Sequence, residues 1–104
     1  MIYLEASLRV VPGKMNEFME VFEKEFLPSS NKLGRKLVAQ WRTTIGTLDE
    51  ITDLWVYDDL THMQRFQEAR AKSPEFTKAS DHLRSLIAHE TTRLMVPTPL
   101  SSMK

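Results

Sequence analysis

Alternate positions of one predicted strand carry three side chains that could perform chemistry together. Asp53, Trp55 and Tyr57 project to the same side, because successive side chains of a strand point to opposite faces. The preceding strand would bring Gln40 and Arg42 beside them. A carboxylate and a guanidinium can orient a polar group, and two aromatic rings supply an apolar wall. The pattern predicts a ligand chamber lined by these five residues, with Asp53 as a proton-transfer candidate and Arg42 holding an anionic or carbonyl group.

The last predicted strand supplies a second catalytic candidate, His89. Imidazole gains and loses protons near neutral pH, which suits acid-base catalysis. Glu5, Arg9 and Arg93 would share its chamber if their strands face the same way. The alternative is a strand-end histidine in solvent, because the alternation of this strand is too weak to fix its facing.

The five chamber residues also fit a purely structural role. Trp and Tyr are enriched in protein interfaces, and Arg42 with Asp53 would make a favourable cross-strand pair. Two classes of function therefore remain open, and with them the question of whether the chain is an enzyme. One is a protein that binds a small, partly apolar molecule and could be a cofactor-free enzyme, and the other is a non-catalytic dimeric interaction module.

The elements that position these residues follow from hydrophobic periodicity. Strands are predicted over 2–11, 36–45, 50–58 and 89–96, and helices over 15–27, 60–70 and 74–87. Pro28 should end the first helix, since proline lacks the amide hydrogen of the helical ladder. Asp59 and Ser73 are typical N-caps of the other two helices, and Pro74 follows the second cap. This order predicts an α+β fold of the ferredoxin-like split βαβ type, a four-stranded antiparallel sheet with its helices on one face.

Charge predicts the register of the central hairpin. Pairing residues whose numbers sum to 95 places Arg42 opposite Asp53 and Lys36 opposite Asp59. Leu37, Ala39, Trp41, Leu54 and Val56 would then face the helices. The face without helices would carry Tyr3, Gln40, Trp55, Tyr57 and Met95. So much exposed aromatic surface predicts a homodimer that packs sheet to sheet.

Composition excludes several other functions. The 104 residues hold 14 basic and 14 acidic side chains and no cysteine, so neither a nucleic acid nor a membrane surface is an expected partner. No apolar run is long enough for a membrane span, and the N-terminus lacks the pattern of an export signal, which predicts a cytoplasmic protein. Isolated glycines make no phosphate loop, and the three histidines lack metal-ligand spacing. We therefore expect neither a cofactor nor a metal.

Several motifs resemble the NIPSNAP family. They are Pro12-Gly13-Lys14, the run from Gly34 to Trp41, the hairpin from Ile45 to Asp58 with its Leu54-Trp55-Val56-Tyr57, Pro74-Glu75-Phe76, and Pro97-Thr98-Pro99. The match covers nearly the whole chain, as one domain over 1–97 with a C-terminal tail over 98–104. The resemblance implies a dimeric α+β barrel, a fold shared with antibiotic-biosynthesis monooxygenases, haem-degrading enzymes and muconolactone isomerases. It implies no particular reaction, because fold does not determine activity.

The chain departs from the family pattern at functional-looking positions. Asp49 and Asp53 stand where relatives commonly have Asn and His, and Ala6 stands where many have Arg. Monooxygenase or haem-degrading activity remains a further alternative, by analogy of fold. A haem ligand would then be His62 or His82 on a predicted helix.

Overall fold

The computed structural model describes all 104 residues as a sheet with helices on one side. The elements are β1 (Ile2–Val10), α1 (Met15–Val21), a π-helical turn (Phe22–Phe26), α2 (Leu27–Lys32), β2 (Lys36–Arg42), β3 (Glu50–Tyr57), α3 (Leu60–Ala71), α4 (Pro74–Arg84) and β4 (Ile87–Met95). The strands are antiparallel in the order β2-β3-β1-β4. This arrangement confirms the predicted ferredoxin-like α+β fold.

The first helix runs past the proline that was predicted to end it. The π-helical turn lets the amide of Leu27 bond to the carbonyl of Phe22, five residues earlier, and Pro28 then occupies the first turn of α2. Proline is tolerated there because a first-turn amide has no partner within its own helix. The hydroxyl of Ser29 donates to the Glu25 carbonyl at 2.7 Å. The helix therefore reaches Lys32, and the prediction of an end at Leu27 was wrong.

Both predicted helix caps are present. The Asp59 carboxylate accepts the amide of His62 at 2.8 Å, and the Ser73 hydroxyl accepts the amide of Phe76 at 3.1 Å. Each cap satisfies one of the amides that a helix start leaves free. The caps fix where α3 and α4 begin, and so which of their side chains lie over the sheet.

The register predicted for the β2–β3 hairpin was wrong by two residues at Asp53 and by three at Lys36. Gln40, not Arg42, lies opposite Asp53, and Lys36 lies opposite Val56. The register shifts between Leu37 and Ala39, as in a β-bulge, an irregularity that charge pairing does not reveal. A hydrogen bond from Gln40 Nε2 to Asp53 Oδ1 at 2.8 Å replaces the expected ion pair.

The predicted facing of the hairpin was also wrong, except at Leu37, which packs against the core under the helices. Asp53, Trp55 and Tyr57 are each only 2% exposed and lie opposite the β1 residues Ala6, Leu4 and Ile2. They therefore face the helices. Burying the indole of Trp55 against helices removes far more apolar area from water than burying Val or Leu there would, and this favours the observed facing.

The opposite side of the sheet, which we call the open face, has a different composition from the one predicted. Tyr3 and Met95 lie on it as expected, whereas Gln40, Trp55 and Tyr57 do not. The tail residues Ser101 and Met103 line a groove beside Tyr3. The principal apolar and aromatic side chains of the open face are Tyr3, Ala39, Trp41, Leu54, Val56 and Met95.

None of the helices has the length and apolar character that a membrane crossing requires.

Candidate functional site

A cavity of about 260 Å³, the inner cavity, lies between the sheet and the helices. Its apolar wall comes from all layers of the fold and includes Leu4, Ala6, Trp55, Phe26, Phe76 and Leu83. Asp53 and Arg35 are the buried charged groups in this wall. An apolar pocket with a few convergent polar groups is the usual form of a small-molecule site.

Asp53 places a carboxyl group in the inner cavity under unusual electrostatic conditions. Burial raises the pKa of this carboxyl from 3.8 to about 6, because an apolar surrounding disfavours its charged form. The hydrogen bond from Gln40 and the positive charge of Arg35 oppose this rise, whereas the charge of Glu90 adds to it. Asp53 can therefore both accept and return a proton near neutral pH.

Arg35 places a buried positive charge in the same cavity. Its side chain is stacked on the indole of Trp55, with Cζ 3.8 Å from the ring centroid, and Cζ lies 4.6 Å from the centroid of Phe66. Such cation–π contacts partly replace lost hydration. Nη2 donates to the hydroxyl of Ser30 at 3.0 Å, but the buried Nε has no hydrogen-bond partner. Burial lowers the pKa of Arg35, although a guanidinium stays charged in proteins.

The end of α2 holds Arg35 in this position. Gly34 adopts a φ of 96°, which is the left-handed conformation that glycine accepts most readily. The backbone amide of Arg35 donates to the Ser30 carbonyl at 3.1 Å, and Nε2 of His62 is 2.9 Å from the Gly34 carbonyl. The turn is thus held by α2 on one side and by α3 on the other.

The outer part of the cavity is polar. Arg70 and Gln67 of α3, Ser80 and Arg84 of α4 and Glu90 of β4 line it. A second cavity of about 230 Å³, the vestibule, adjoins the inner cavity and shares Arg70, Phe76, Ser80 and Arg84 with it. A ligand reaching the inner cavity through the vestibule would pass these two arginines.

The structure brings together only part of the predicted site. Asp53 and Trp55 line the inner cavity, and Gln40 contacts Asp53. Arg42 lies exposed at the end of β2, opposite Ile51, and is not among the lining residues. Tyr57 does not line the cavity either and packs with Ile2, Phe66 and Phe76, although its side chain interacts with Arg35 and opposes the burial that lowers the pKa of that guanidinium.

The second catalytic candidate lies elsewhere. His89 pairs with Arg9 on the open face, the opposite side of the sheet from Asp53. Glu5, Arg9 and Arg93 share the open face with His89, and Glu5 makes an ion pair with Arg93 at 3.0 Å. The charged cavity residues that the sequence did not indicate as site residues are Arg35, Arg70, Arg84 and Glu90.

The other two histidines have structural partners. Nδ1 of His62 accepts the amide of Asp58 at 2.9 Å while Nε2 faces the Gly34 carbonyl, so both ring nitrogens are engaged. Nδ1 of His82 lies 3.1 Å from the carboxylate of Glu25 and joins α4 to the first helix. Neither histidine lines the inner cavity.

The sheet order and the single helical layer define an α+β protein of the ferredoxin-like class, with a charged cavity under the helices. The family model NIPSNAP matches residues 3–102. The chain belongs to the NIPSNAP family, as its hairpin motif indicated.

Known proteins extend this comparison. The human protein NipSnap homolog 3A is 33% identical over 72 residues, which cover 67% of this chain and 28% of that protein. The chain therefore spans well under half the length of this curated relative. The crystal structure of a NIPSNAP family protein from Agrobacterium tumefaciens is 25% identical with a TM-score of 0.90, covering 99% of this chain and 98% of that one.

The fold also occurs outside the family. The crystal structure of an antibiotic biosynthesis monooxygenase superimposes with a TM-score of 0.71 at 12% identity, covering 95% of this chain and all of that one. At this identity the similarity shows a shared fold, and activity does not follow from it.

Proposed function

We propose that this protein binds a small, partly apolar carbonyl compound in the inner cavity and transfers a proton to and from it. The observation that carries the proposal is a buried carboxyl group, Asp53, facing an apolar cavity beside a buried guanidinium, Arg35. Perturbed ionisable groups in a cleft are typical of catalytic sites. Two opposite charges that each lack a direct ion-pair partner are costly to bury, which favours a functional role for them.

The chemistry needs no redox step. The Asp53 carboxylate accepts a proton from the carbon next to the ligand carbonyl, and the electrons of the C–H bond move into the carbonyl, giving an enolate. Arg35 stabilises the negative charge that develops on oxygen. Asp53 then returns the proton to the same carbon or to a conjugated one. Because its pKa is about 6, Asp53 is largely a carboxylate at pH 7 and is ready to act as the base.

Ligand binding can be followed at Trp55 itself. The chain has two tryptophans, so Trp41→Phe leaves Trp55 as the source of the single indole N–H signal in a nuclear magnetic resonance spectrum. We expect the neutral ketone 2-heptanone to shift this signal saturably. In the same background, Ser80→Phe should fill the cavity and lower the affinity at least about tenfold, as expected when about 1.4 kcal/mol of contact is lost.

The matched control is Lys78→Phe, which adds the same ring to an exposed position of α4 that lines neither cavity. It should leave the 2-heptanone affinity unchanged. Equal loss in both variants, or no saturable shift with any small ketone, would contradict the proposed site.

We propose further that the protein is a homodimer packed through the open face. Trp41 is 56% exposed there, beside the half-buried Leu54 and Val56. Exposed apolar groups on one sheet face typically mark an interface, and the NIPSNAP resemblance implies a dimeric barrel. In this dimer Trp55 and Tyr57 would not join the subunits, because they face the helices. The alternative of a non-catalytic dimeric interaction module is therefore less favoured than a ligand-binding protein. Trp55 and Tyr57, which were expected to hold that dimer together, are core residues of the single chain.

The dimer predicts a sedimentation mass of about twice the 12.1 kDa of the chain. Leu54→Arg places a charge at the centre of the open face and should give a monomer that remains folded by circular dichroism. Lys36→Arg, at the edge of the same face, is the control and should stay dimeric. A monomeric native protein at micromolar concentration would exclude this assembly.

A further inference from the structure

The arginines at the mouth of the inner cavity suggest what the ligand carries besides its carbonyl. Arg70 and Arg84 project from neighbouring helices and line both the inner cavity and the vestibule. Neither forms an ion pair with a carboxylate of the chain. Two unpaired guanidiniums on one small cavity are a typical arrangement for binding an anion.

Arg70 has an aromatic contact within the chain. Its Cζ lies 5.4 Å from the ring centroid of Phe76, and the side chain is half-buried. Stacking on an aromatic face leaves the edge of a guanidinium free to form two parallel hydrogen bonds with a carboxylate. Ser80 also lines both cavities, and its hydroxyl is a further hydrogen-bond donor for an anion.

The charges around the two cavities are equal in number, but none of the arginines forms an ion pair with one of the carboxylates. Arg35, Arg70 and Arg84 contribute three positive charges, against the carboxyl groups of Asp53 and Glu90 in the inner cavity and the exposed Asp81 in the vestibule. The charge of Arg70 further disfavours the charged form of Arg35. A negative ligand group near Arg70 would relieve this repulsion between the two guanidiniums.

We propose that the ligand is an oxo acid whose carboxylate binds between Arg70 and Arg84. Its carbonyl then lies in the inner cavity beside Asp53 and Arg35, with an apolar chain along Phe76 and Leu83. This assignment rests on the proposed function and names the substrate class of the same site. It makes Arg70 and Arg84 specificity-determining residues, while Asp53 and Arg35 act on the reacting atoms.

Two matched probes test the assignment, 5-oxohexanoate and its neutral methyl ester, each titrated against the Trp55 indole signal of the Trp41→Phe protein. We expect the acid to bind at least about tenfold more tightly than the ester, because hydrogen bonds between charged groups are about twice as strong as neutral ones. Arg70→Gln and Arg84→Gln should each remove about tenfold of the affinity for the acid and leave that for the ester unchanged. Arg65→Gln, on the same helix α3 but lining neither cavity, is the control and should change neither.

The outcomes separate this inference from the function on which it rests. If the ester and 2-heptanone bind but the acid binds no better, the oxo-acid assignment is wrong and the cavity site stands. If Arg70→Gln and Arg84→Gln lower the affinities for the acid and the ester equally, the arginines shape the cavity and do not bind the carboxylate. The oxo-acid assignment is then also wrong. If no probe shifts the indole signal, both proposals fail together.

Discussion

Replacing Trp55 by alanine is expected to lower the free energy of unfolding by about 3 to 5 kcal/mol, as is typical of large aromatic residues in a core. The indole is 2% exposed, its ring centroid lies 6.1 Å from those of Phe22 and Phe26, and Arg35 stacks on its face. The substitution removes these contacts and leaves the guanidinium without its main aromatic partner. Urea unfolding followed by circular dichroism measures the loss.

The other tryptophan provides the control. Trp41 is 56% exposed, so Trp41→Ala should change the free energy of unfolding of the monomer by no more than about 1 kcal/mol. The two variants should be compared in the Leu54→Arg background, where dimer dissociation does not contribute. Equal losses at the two positions would mean that Trp55 does not lie in the core.

Stability should fall as the pH rises from about 4 to about 6 because of Asp53. An acid whose pKa is higher in the folded state than in the unfolded state binds its proton more tightly when folded. Its contribution is therefore most favourable below the unfolded value of 3.8, decreases as the pH rises, and levels off above about 6. The rise in pKa from 3.8 to about 6 corresponds to about 3 kcal/mol in the free energy of unfolding.

Asp53→Asn should remove this part of the pH dependence and make the protein more stable than the native chain at pH 7. An asparagine side chain carries no charge to bury, and its amide oxygen can still accept the hydrogen bond from Gln40. Urea unfolding between about pH 3.5 and about pH 7.5 spans the titration and tests this, with Glu68→Gln as a control at an exposed carboxylate of α3. Parallel pH profiles for Asp53→Asn and the native protein would show that Asp53 titrates as an exposed acid.

The order of the elements could be predicted from the sequence because each element carries its own local signal. Alternation marks β1, helical spacing marks α1 and α4, and the caps Asp59 and Ser73 act on amides within their own first turns. The continuation of the first helix past Pro28, which was not predicted, has a local cause as well. A proline usually ends a helix, but the π-helical turn places Pro28 in the first turn of α2, where proline is tolerated. No residue pattern predicts such a turn.

The register and facing of the hairpin could not be predicted because they are decided by contacts distant in sequence. Pairing of Arg42 with Asp53 is favourable by charge, but cross-strand pairs contribute only about 0.2 to 1 kcal/mol. Burial of Trp55 against the first helix contributes more, and it determines which side of β3 faces inward. The period of two in Asp53, Trp55 and Tyr57 places them on one side as predicted, and that side is the helical one.

The part of the candidate site that lies on the hairpin could be predicted from the sequence, and the part formed by the arginines could not. Asp53, Trp55 and Gln40 meet because they are strand neighbours. Arg35 reaches the cavity from the turn after α2, Arg70 reaches it from α3, and Arg84 reaches it from α4. A single arginine after Gly34 carries no sequence signal of burial, since arginine is mostly exposed in proteins.

The most direct test of the central claim is the location of the backbone amide shifts caused by 5-oxohexanoate in uniformly ¹⁵N-labelled protein. A ligand between the sheet and the helices should shift signals around the inner cavity, above all those of Arg35, Asp53, Trp55, Arg70 and Leu83. Saturable shifts confined to the open face, at Tyr3, Trp41 and Leu54, would place the ligand on the other side of the sheet and contradict the account.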